Sequence, residues 1–270
     1  MIIAKRTKST DRADYQDTAR PLAGMAKDFA AGSRIEPHRH PRAQLTWAVS
    51  GVMTVTAARG TWVVPPNRAL WIPAQTEHEI RMAGPVAMRA IYVDREVARV
   101  VAAECKVILV SSLLRALMLE IVAAPLDYDE KGRMGHVVAL FIDEISVSDA
   151  QPLHIPTPRD PRLRRVCEKL LGDPGRGDTL EQWGVIAGAS SRTLARLFER
   201  ETGMRFVDWR QQARLARALV GLAEGRDVAS VARAVGYESV SAFTAMFRRV
   251  LGRTPSNYCG SPGGITYGRE

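Results

Sequence analysis

The sequence predicts an α+β protein of two domains, with an all-β N-terminal domain that carries two helices and an all-helical C-terminal domain. Short runs rich in β-branched and aromatic residues, mostly separated by Gly or Pro, fill the chain up to about residue 93. Segments with apolar residues at helical spacing follow them. The length of 270 residues suits two domains of ~100–200 residues, each able to bury its own core.

The predicted strands have the length and spacing of a small barrel or sandwich. Their sequences are QLTWAV, VMTVTA, TWVV, ALWI and AMRAIYV. Two helices are predicted next, at residues 112–123 and 131–145. The first carries the apolar residues Leu113, Leu114, Leu117, Met118 and Ile121. Because these exceed what one small barrel needs, they predict either a homodimer interface or a seal over the barrel, and both remain open.

A proline-rich segment marks the boundary between the domains. Four prolines fall within residues 151–161, and such a segment cannot continue a helix and is typical of a stiff linker. We therefore assign residues 1–150 to the N-terminal domain, 151–158 to the linker, 159–260 to the helical domain and 261–270 to a flexible tail.

Composition excludes several classes of protein. With 46% apolar and 25% charged residues, the chain is too apolar to be mainly disordered. It contains neither an apolar run of the ~18–20 residues that a membrane helix needs nor a signal-peptide segment, so we expect a cytoplasmic protein. Cys105, Cys167 and Cys259 are far apart in the sequence and are interpreted as free thiols.

The charge distribution points to a polyanionic partner. The net charge is +9. From residue 157 onward the chain contains 19 basic but only 12 acidic residues. Eighteen of those bases are Arg, whose planar fork matches phosphates and guanine edges. A solvated basic face is the alternative that composition alone leaves open.

The helical domain contains two copies of one unit at an offset of 49 residues. The matching pairs are Asp178 and Asp227, Ser190 and Ser239, Leu194 and Phe243, Phe198 and Phe247, and Gly203 and Gly252. In each copy an Asp able to cap a helix precedes a short helix, a Gly breaks it, and a Ser caps a second helix. This pattern predicts two helix-turn-helix units joined by a long helix at 206–223, with Arg210, Arg214 and Arg217 on one face. Plain helical packing is the alternative, but duplication on an Arg-rich background favours double-stranded DNA as the partner.

The run RTLARLFERETGMRFVDWRQQARLARAL, followed by VARAVGYESVSAFTAMFRRVLGRTPSNY, resembles the DNA-binding domain of the AraC/XylS transcriptional regulators. The resemblance implies two recognition helices that enter adjacent major grooves. The positions that match base-facing positions of the family are Ser191, Arg192, Ala195 and Arg196 in the first helix and Val240, Ser241, Thr244 and Ala245 in the second. The second set is uncharged, so we expect the two units to read sequence unequally. Arg210 and Arg249 are the expected phosphate contacts.

The N-terminal domain resembles a cupin barrel used as a sensor. Gly32, His38-Arg39-His40, Gln44 and Gly51 are similar to the first cupin motif, and Pro73 and His78 match positions of the second. If residues 38–44 are extended, His38, His40 and Gln44 share one face. The resemblance therefore implies a possible divalent metal site of His38, His40, Gln44 and His78, for Zn, Ni, Fe or Mn. Gln44 stands where the family has Glu, so the anionic ligand is missing, and a polar hydrogen-bonded pocket floor is the alternative.

These features together predict a sequence-specific, ligand-responsive transcriptional regulator. Its expected partners are double-stranded DNA, a small-molecule effector, a second copy of the chain, and RNA polymerase if it activates transcription. The alternatives are a metal-dependent cupin enzyme tethered to DNA and a nonspecific DNA-structuring protein. Gln44 disfavours the enzyme because it is neither a carboxylate nor a strong base. Arg192 and Arg196 disfavour the nonspecific protein.

Overall fold

The structure is a computed structural model that describes residues 9–150 and 153–259. Within them the chain forms two compact units, one built from residues 9–57 and 64–150 and the other from residues 58–63 and 153–259. The predicted tail at 261–270 lies outside the described residues.

Ten strands are present in the described residues, and all but β5 and β10 belong to the first unit. They are β1 (Leu22–Phe29), β2 (Arg34–His38), β3 (Ala43–Ala48), β4 (Val52–Ala57), β5 (Gly60–Val64), β6 (Arg68–Ile72), β7 (His78–Ala83), β8 (Val86–Val93), β9 (Lys106–Leu109) and β10 (His154–Pro156). One antiparallel sheet has the order β1-β8-β3-β6-β9, and β4, β7 and β2 are neighbours in the other. The all-β character predicted for this part of the chain is confirmed.

A bulge positions the functional residues of the second sheet. Strands β2 and β7 pair antiparallel, and their register shifts between Ile35 and His38. A bulge inserts an extra residue into one strand and redirects the side chains after it. Here it sets His38 directly opposite His78.

The described part of the first unit also contains three α-helices: α1 (Arg95–Ala98), α2 (Ser112–Ala123) and α3 (Arg133–Val147). The oxygen of Ser111 caps α2 by accepting a hydrogen bond from the amide of Leu114 at 3.0 Å. α2 and α3 pack on each other and on the first sheet, around Trp47, Trp71 and Phe141. Of the five residues considered for a dimer interface, Leu114, Leu117, Met118 and Ile121 are buried in this core and only Leu113 is exposed. These four side chains therefore cover the barrel within the chain. For them, the seal over the barrel is the correct one of the two interpretations left open.

The second unit contains seven helices within the described residues. They are α4 (Pro161–Gly172), α5 (Leu180–Ala187), α6 (Ser191–Thr202), α7 (Phe206–Ala223), α8 (Val228–Ala234), α9 (Val240–Leu251) and α10 (Pro255–Cys259). Trp183, Phe198 and Trp209 lie at the centre of the first half and are fully buried. None of the helices in the described ranges is long and apolar enough to span a membrane.

Part of the proline-rich segment, residues 154–156, forms a strand and packs against the helical core. β10 lies within it and pairs antiparallel with β5, which explains why residues 58–63 group with the second unit. Ile155 is buried in the helical core, and the indole of Trp209 donates a hydrogen bond to the carbonyl of Pro156 at 3.2 Å. Residues 154–156 have the extended backbone that prolines favour, and they are paired with β5.

Most predicted helix boundaries carry the expected cap. Ser190 and Ser239 cap α6 and α9, and Asp227 caps α8. At α5 the prediction was wrong, because Thr179 rather than Asp178 is the cap and forms a capping box with Gln182. The Asp178 carboxylate is instead paired with Arg176 at 2.7 Å.

Candidate functional site

The first recognition helix, α6, presents the four predicted residues on one side. Leu194 and Phe198 are fully buried and fix the inner face of the helix. Arg192 and Arg196 are exposed, and Ser191 and Ala195 are half-buried beside them. No ion pair involving either arginine is found among the described residues, Glu199 included. Both guanidinium groups are therefore available to a ligand.

The second recognition helix, α9, has the same framework with a different surface. Phe243 and Phe247 are fully buried, in the places of Leu194 and Phe198. Val240, Ser241 and Ala245 are exposed and Thr244 is half-buried. This surface carries no charge at the four predicted positions and offers no side chain for a bidentate contact to a purine.

The two predicted phosphate-binding arginines differ in their surroundings. Arg210 lies 4.9 Å from the centroid of the Phe206 ring, and its Nη1 donates to the carbonyl of Asp178 at 3.4 Å. Burial lowers the pKa of Arg210. Arg249 is exposed, and its Nη2 is 3.5 Å from Oε1 of Gln211. The Arg249 side chain is thus more accessible to a phosphate than that of Arg210, which also supports the packing of the unit.

Arg214 has a role that its spacing alone did not indicate. Its Nε donates to the carbonyl of Pro174 at 2.9 Å, and its guanidinium stacks on Tyr237. It therefore connects α7 to the loop before the first helix-turn-helix and to the turn of the second. The sequence placed Arg214 on the correct helix, but neither partner is local to it.

The three predicted histidines converge in the first unit. One ligand nitrogen from each of His38, His40 and His78 lies within 4.8 Å of the others. The ring centroids of His38 and His78 are 4.3 Å apart. Residues 38–44 do not form one strand as expected, since β2 ends at His38 and β3 begins at Ala43. The connection between the two strands nevertheless brings Gln44 Oε1 to 2.8 Å from His40 Nε2.

Backbone carbonyls fix the orientation of all three imidazoles. Nδ1 of His38 lies 2.8 Å from the carbonyl of Glu36, and Nδ1 of His78 lies 2.8 Å from that of Thr76. Nδ1 of His40 lies 2.6 Å from the carbonyl of Arg42. Because a carbonyl only accepts, each Nδ1 carries the proton and each neutral ring keeps a lone pair on Nε2. Metal-ligating histidines are commonly oriented by such carbonyl contacts.

The three imidazoles of the cluster are neutral and can act as ligands. Burial lowers the pKa of His78 to about 4 and also lowers the pKa of His38 and His40, so all three rings are neutral at pH 7. Nε2 of His78 is buried without a hydrogen-bond partner. Nε2 of His40 lies 2.8 Å from Oε1 of Gln44, so the two atoms are close enough to bind the same ion. The predicted residues therefore fit a divalent metal with three nitrogens and one amide oxygen.

A cavity of about 260 Å³ opens beside the histidines and lies between the two sheets of the first unit. Its polar floor includes His38, Gln44 and Tyr92. Its walls are formed by Met25, Phe29, Ile35, Ile80 and Met88, with Thr10, Asp11, Arg12 and Lys27 also in the lining. Seven of the twelve lining residues are polar and five are apolar, so a small molecule bound here would meet both kinds of surface. The sequence motifs located its floor but gave no indication of Arg12, Lys27 or Tyr92.

Comparison with known proteins identifies the chain. The family described as AraC-like ligand binding domain matches residues 26–128, and the one described as helix-turn-helix domain matches residues 183–260. The HTH-type transcriptional regulator NimR of Escherichia coli is 33% identical over 221 residues, covering 82% of this chain and 81% of that protein. The chain belongs to the AraC family of transcriptional regulators. It is a regulator with ligand-binding and DNA-binding domains, not an enzyme.

This AraC-family regulator is also similar to two further proteins. The HTH-type transcriptional regulator RipA of Corynebacterium glutamicum is 34% identical over 122 residues, covering 45% of this chain and 35% of that protein. The solved structure of ToxT from Vibrio cholerae matches 89% of this chain and 98% of its own, with 10% identity and a TM-score of 0.38.

Proposed function

We propose that this AraC-family chain is a cytoplasmic regulator that binds specific DNA sequences and changes its activity when the pocket of its cupin-like domain is occupied. Arg192 and Arg196 read bases through α6, and the uncharged surface of α9 adds weaker contacts. Arg249 contacts phosphate and contributes to affinity without selecting sequence. RNA polymerase is the further partner wherever the protein activates transcription.

The observation that carries the sensing proposal is the convergence of three neutral imidazoles, one of which, His38, lines the cavity. His38, His40 and His78 would hold a divalent metal through Nε2, and Gln44 through Oε1. A bound metal supplies a Lewis-acidic centre that an effector can coordinate. The chain itself contributes the fixed ring orientations and the cavity beside them.

Full-length protein tests both parts. A selected binding site should compete at least ~100-fold better than random DNA of the same length, since specific sites typically exceed nonspecific DNA by ~10³–10⁷. His38→Ala and His78→Ala should lose metal content and leave this DNA affinity unchanged. Equal competition by random DNA would contradict sequence-specific binding, and unchanged metal content in both variants would contradict the metal site.

We also propose that α2 and α3 join two copies of the chain. Leu113 and Leu119 of α2 and Leu140 and Val147 of α3 are exposed, with Val147 reaching 78%. The two helices pack on each other, so these residues lie on one helical pair. A two-fold contact between such pairs would cover apolar surface and allow paired DNA sites to be bound together.

A further inference from the structure

Two positive side chains line the cavity without a carboxylate partner. Arg12 belongs to a short 3-10 helix at Arg12–Tyr15, and Lys27 lies on β1. Among the described residues neither forms an ion pair. The one carboxylate in the lining, that of Asp11, already accepts a hydrogen bond from the amide of Ala13 at 2.9 Å. The cavity therefore holds more positive than negative charge.

The segment that carries Arg12 is anchored in place. Tyr15 is fully buried and stacks on Tyr92 with their centroids 6.0 Å apart. The buried guanidinium of Arg42 donates to four backbone carbonyls of the same segment, those of Gln16, Thr18, Arg20 and Pro21. The packed segment fixes the position of the Arg12 backbone, and the exposed Arg12 side chain lies at the cavity.

The rest of the wall is apolar. An inorganic anion would lose its hydration against these apolar side chains, which offer it no hydrogen bonds in return. They are Met25, Phe29, Ile35, Ile80 and Met88. A ligand with an apolar body would bury these surfaces and be stabilised by them. At about 260 Å³ the cavity is slightly smaller than the ~300 Å³ lower bound of typical ligand pockets, so the body must be compact.

We propose that the effector is a small organic carboxylate with a compact apolar body, whose carboxylate is held by Arg12 and Lys27 while the body packs between Phe29, Ile35 and Met88. This assignment rests on the proposed ligand-responsive function and names its ligand class. Arg can bind a carboxylate through two parallel hydrogen bonds, and Lys adds a point charge.

Thermal unfolding of the full-length protein tests the assignment with benzoate, cyclohexanecarboxylate and hexanoate as probes and their uncharged amides as isosteres. The carboxylates should raise the melting temperature in a concentration-dependent way, by ~2–4 °C at saturation, and the amides should not. Arg12→Gln and Lys27→Met should each weaken the apparent affinity at least ~tenfold. Arg95→Gln and Lys131→Met, which change exposed cations outside the cavity, should leave it unchanged.

Equal shifts from amides and carboxylates, shifts that survive in both cavity variants, or no shift from any of the three carboxylates would overturn the proposal. Binding to the selected DNA site, measured in the same preparations, separates this failure from failure of the proposed function. Loss of carboxylate binding with DNA binding intact would reject the ligand class alone, whereas loss of specific DNA binding would reject the regulator.

Discussion

The guanidinium carbon of Arg214 lies 5.6 Å from the centroid of the Tyr237 ring, so a side chain of the long helix α7 rests on the turn of the second helix-turn-helix unit. The same guanidinium donates to the carbonyl of Pro174, in the loop before the first unit. The two segments also meet directly, because a Cβ on Gly236 would collide with the carbonyl oxygen of Gly175. Arg214 therefore links the loop before the first helix-turn-helix unit to the turn of the second.

Replacing Arg214 by Met should loosen this arrangement. Its carbonyl partners would lose their donor, at a cost of about 1–3 kcal/mol in the free energy of unfolding. Because both recognition helices must meet their grooves together, affinity for the selected site should fall ~tenfold and sites with altered spacing should be tolerated better. Urea unfolding and binding-site selection measure the two effects. Arg217→Met on the exposed face of α7 is the matched control, and an unchanged spacing preference in Arg214→Met would contradict the role.

The helical half of the molecule was predictable because its signals are local. Ser190 and Ser239 are the N-caps at which α6 and α9 begin, and Gly203 and Gly252 take the left-handed conformation that ends these helices. Because the unit occurs twice, each of these helix start and end residues has a counterpart 49 residues away. Arg214 was missed as a connector because its partners, Pro174 and Tyr237, are distant in sequence.

The β half was less predictable because pairing overrides local preference. β1 has the sequence LAGMAKDF, whose Ala and Gly are poor strand formers, yet it pairs with β8 along its full length. The histidines were found through their motif spacing, although His40 lies between strands rather than on one. Arg12 and Lys27 were missed because only the fold brings them to one cavity.

Arg196→Ala should change which DNA sequences are preferred. An Arg that contacts a guanine through two hydrogen bonds contributes ~1–3 kcal/mol of discrimination, so its loss should relax preference at one or two base pairs. Arg249→Ala, which removes an expected phosphate contact, should weaken all sequences alike and reduce the salt slope by about one. Binding-site selection and salt titration distinguish the two variants. An unchanged sequence logo for Arg196→Ala would show that α6 does not read bases through this residue.

Leu140→Lys should convert a dimer into monomers if α2 and α3 form the interface. Leu140 is 49% exposed on α3, so a charge there disturbs an intermolecular contact more than the fold of the single chain. Sedimentation equilibrium at micromolar protein gives the oligomeric state. Val185→Lys on α5, where the side chain is 85% exposed, is the control. A wild type that is monomeric with and without DNA would reject the interface.

Glu201 should make the stability of the second unit depend on pH. Its carboxylate accepts hydrogen bonds from the amides of Arg159 and Asp160 at 2.8 and 2.9 Å. These amide hydrogen bonds, together with Arg200, hold the pKa of Glu201 below its usual 4.5. A carboxyl with a lowered pKa in the folded state adds stability above the unfolded value and loses it as the pH falls through the folded one.

The measurement is urea unfolding of wild type and Glu201→Gln between pH 7 and pH 4. The variant should be less stable at pH 7, and the difference should begin to shrink as the pH falls below about 4.5. Glu199→Gln, an exposed position on the same helix, serves as the control. A difference that stays constant over the whole range would show that the Glu201 charge is not what holds the segment.

Gln44→Glu should strengthen metal binding at the histidine cluster. The amide oxygen of Gln44 is neutral, and a carboxylate in its place would supply the anionic ligand that the site lacks. Since hard and borderline divalent metals bind carboxylates more strongly than amides, the affinity for Zn²⁺ should rise at least ~tenfold. Gln44→Leu removes the oxygen altogether and should lower the affinity. Competition with a chromogenic chelator measures all three proteins, and equal affinity across Gln, Glu and Leu at position 44 would exclude this side chain from the metal site.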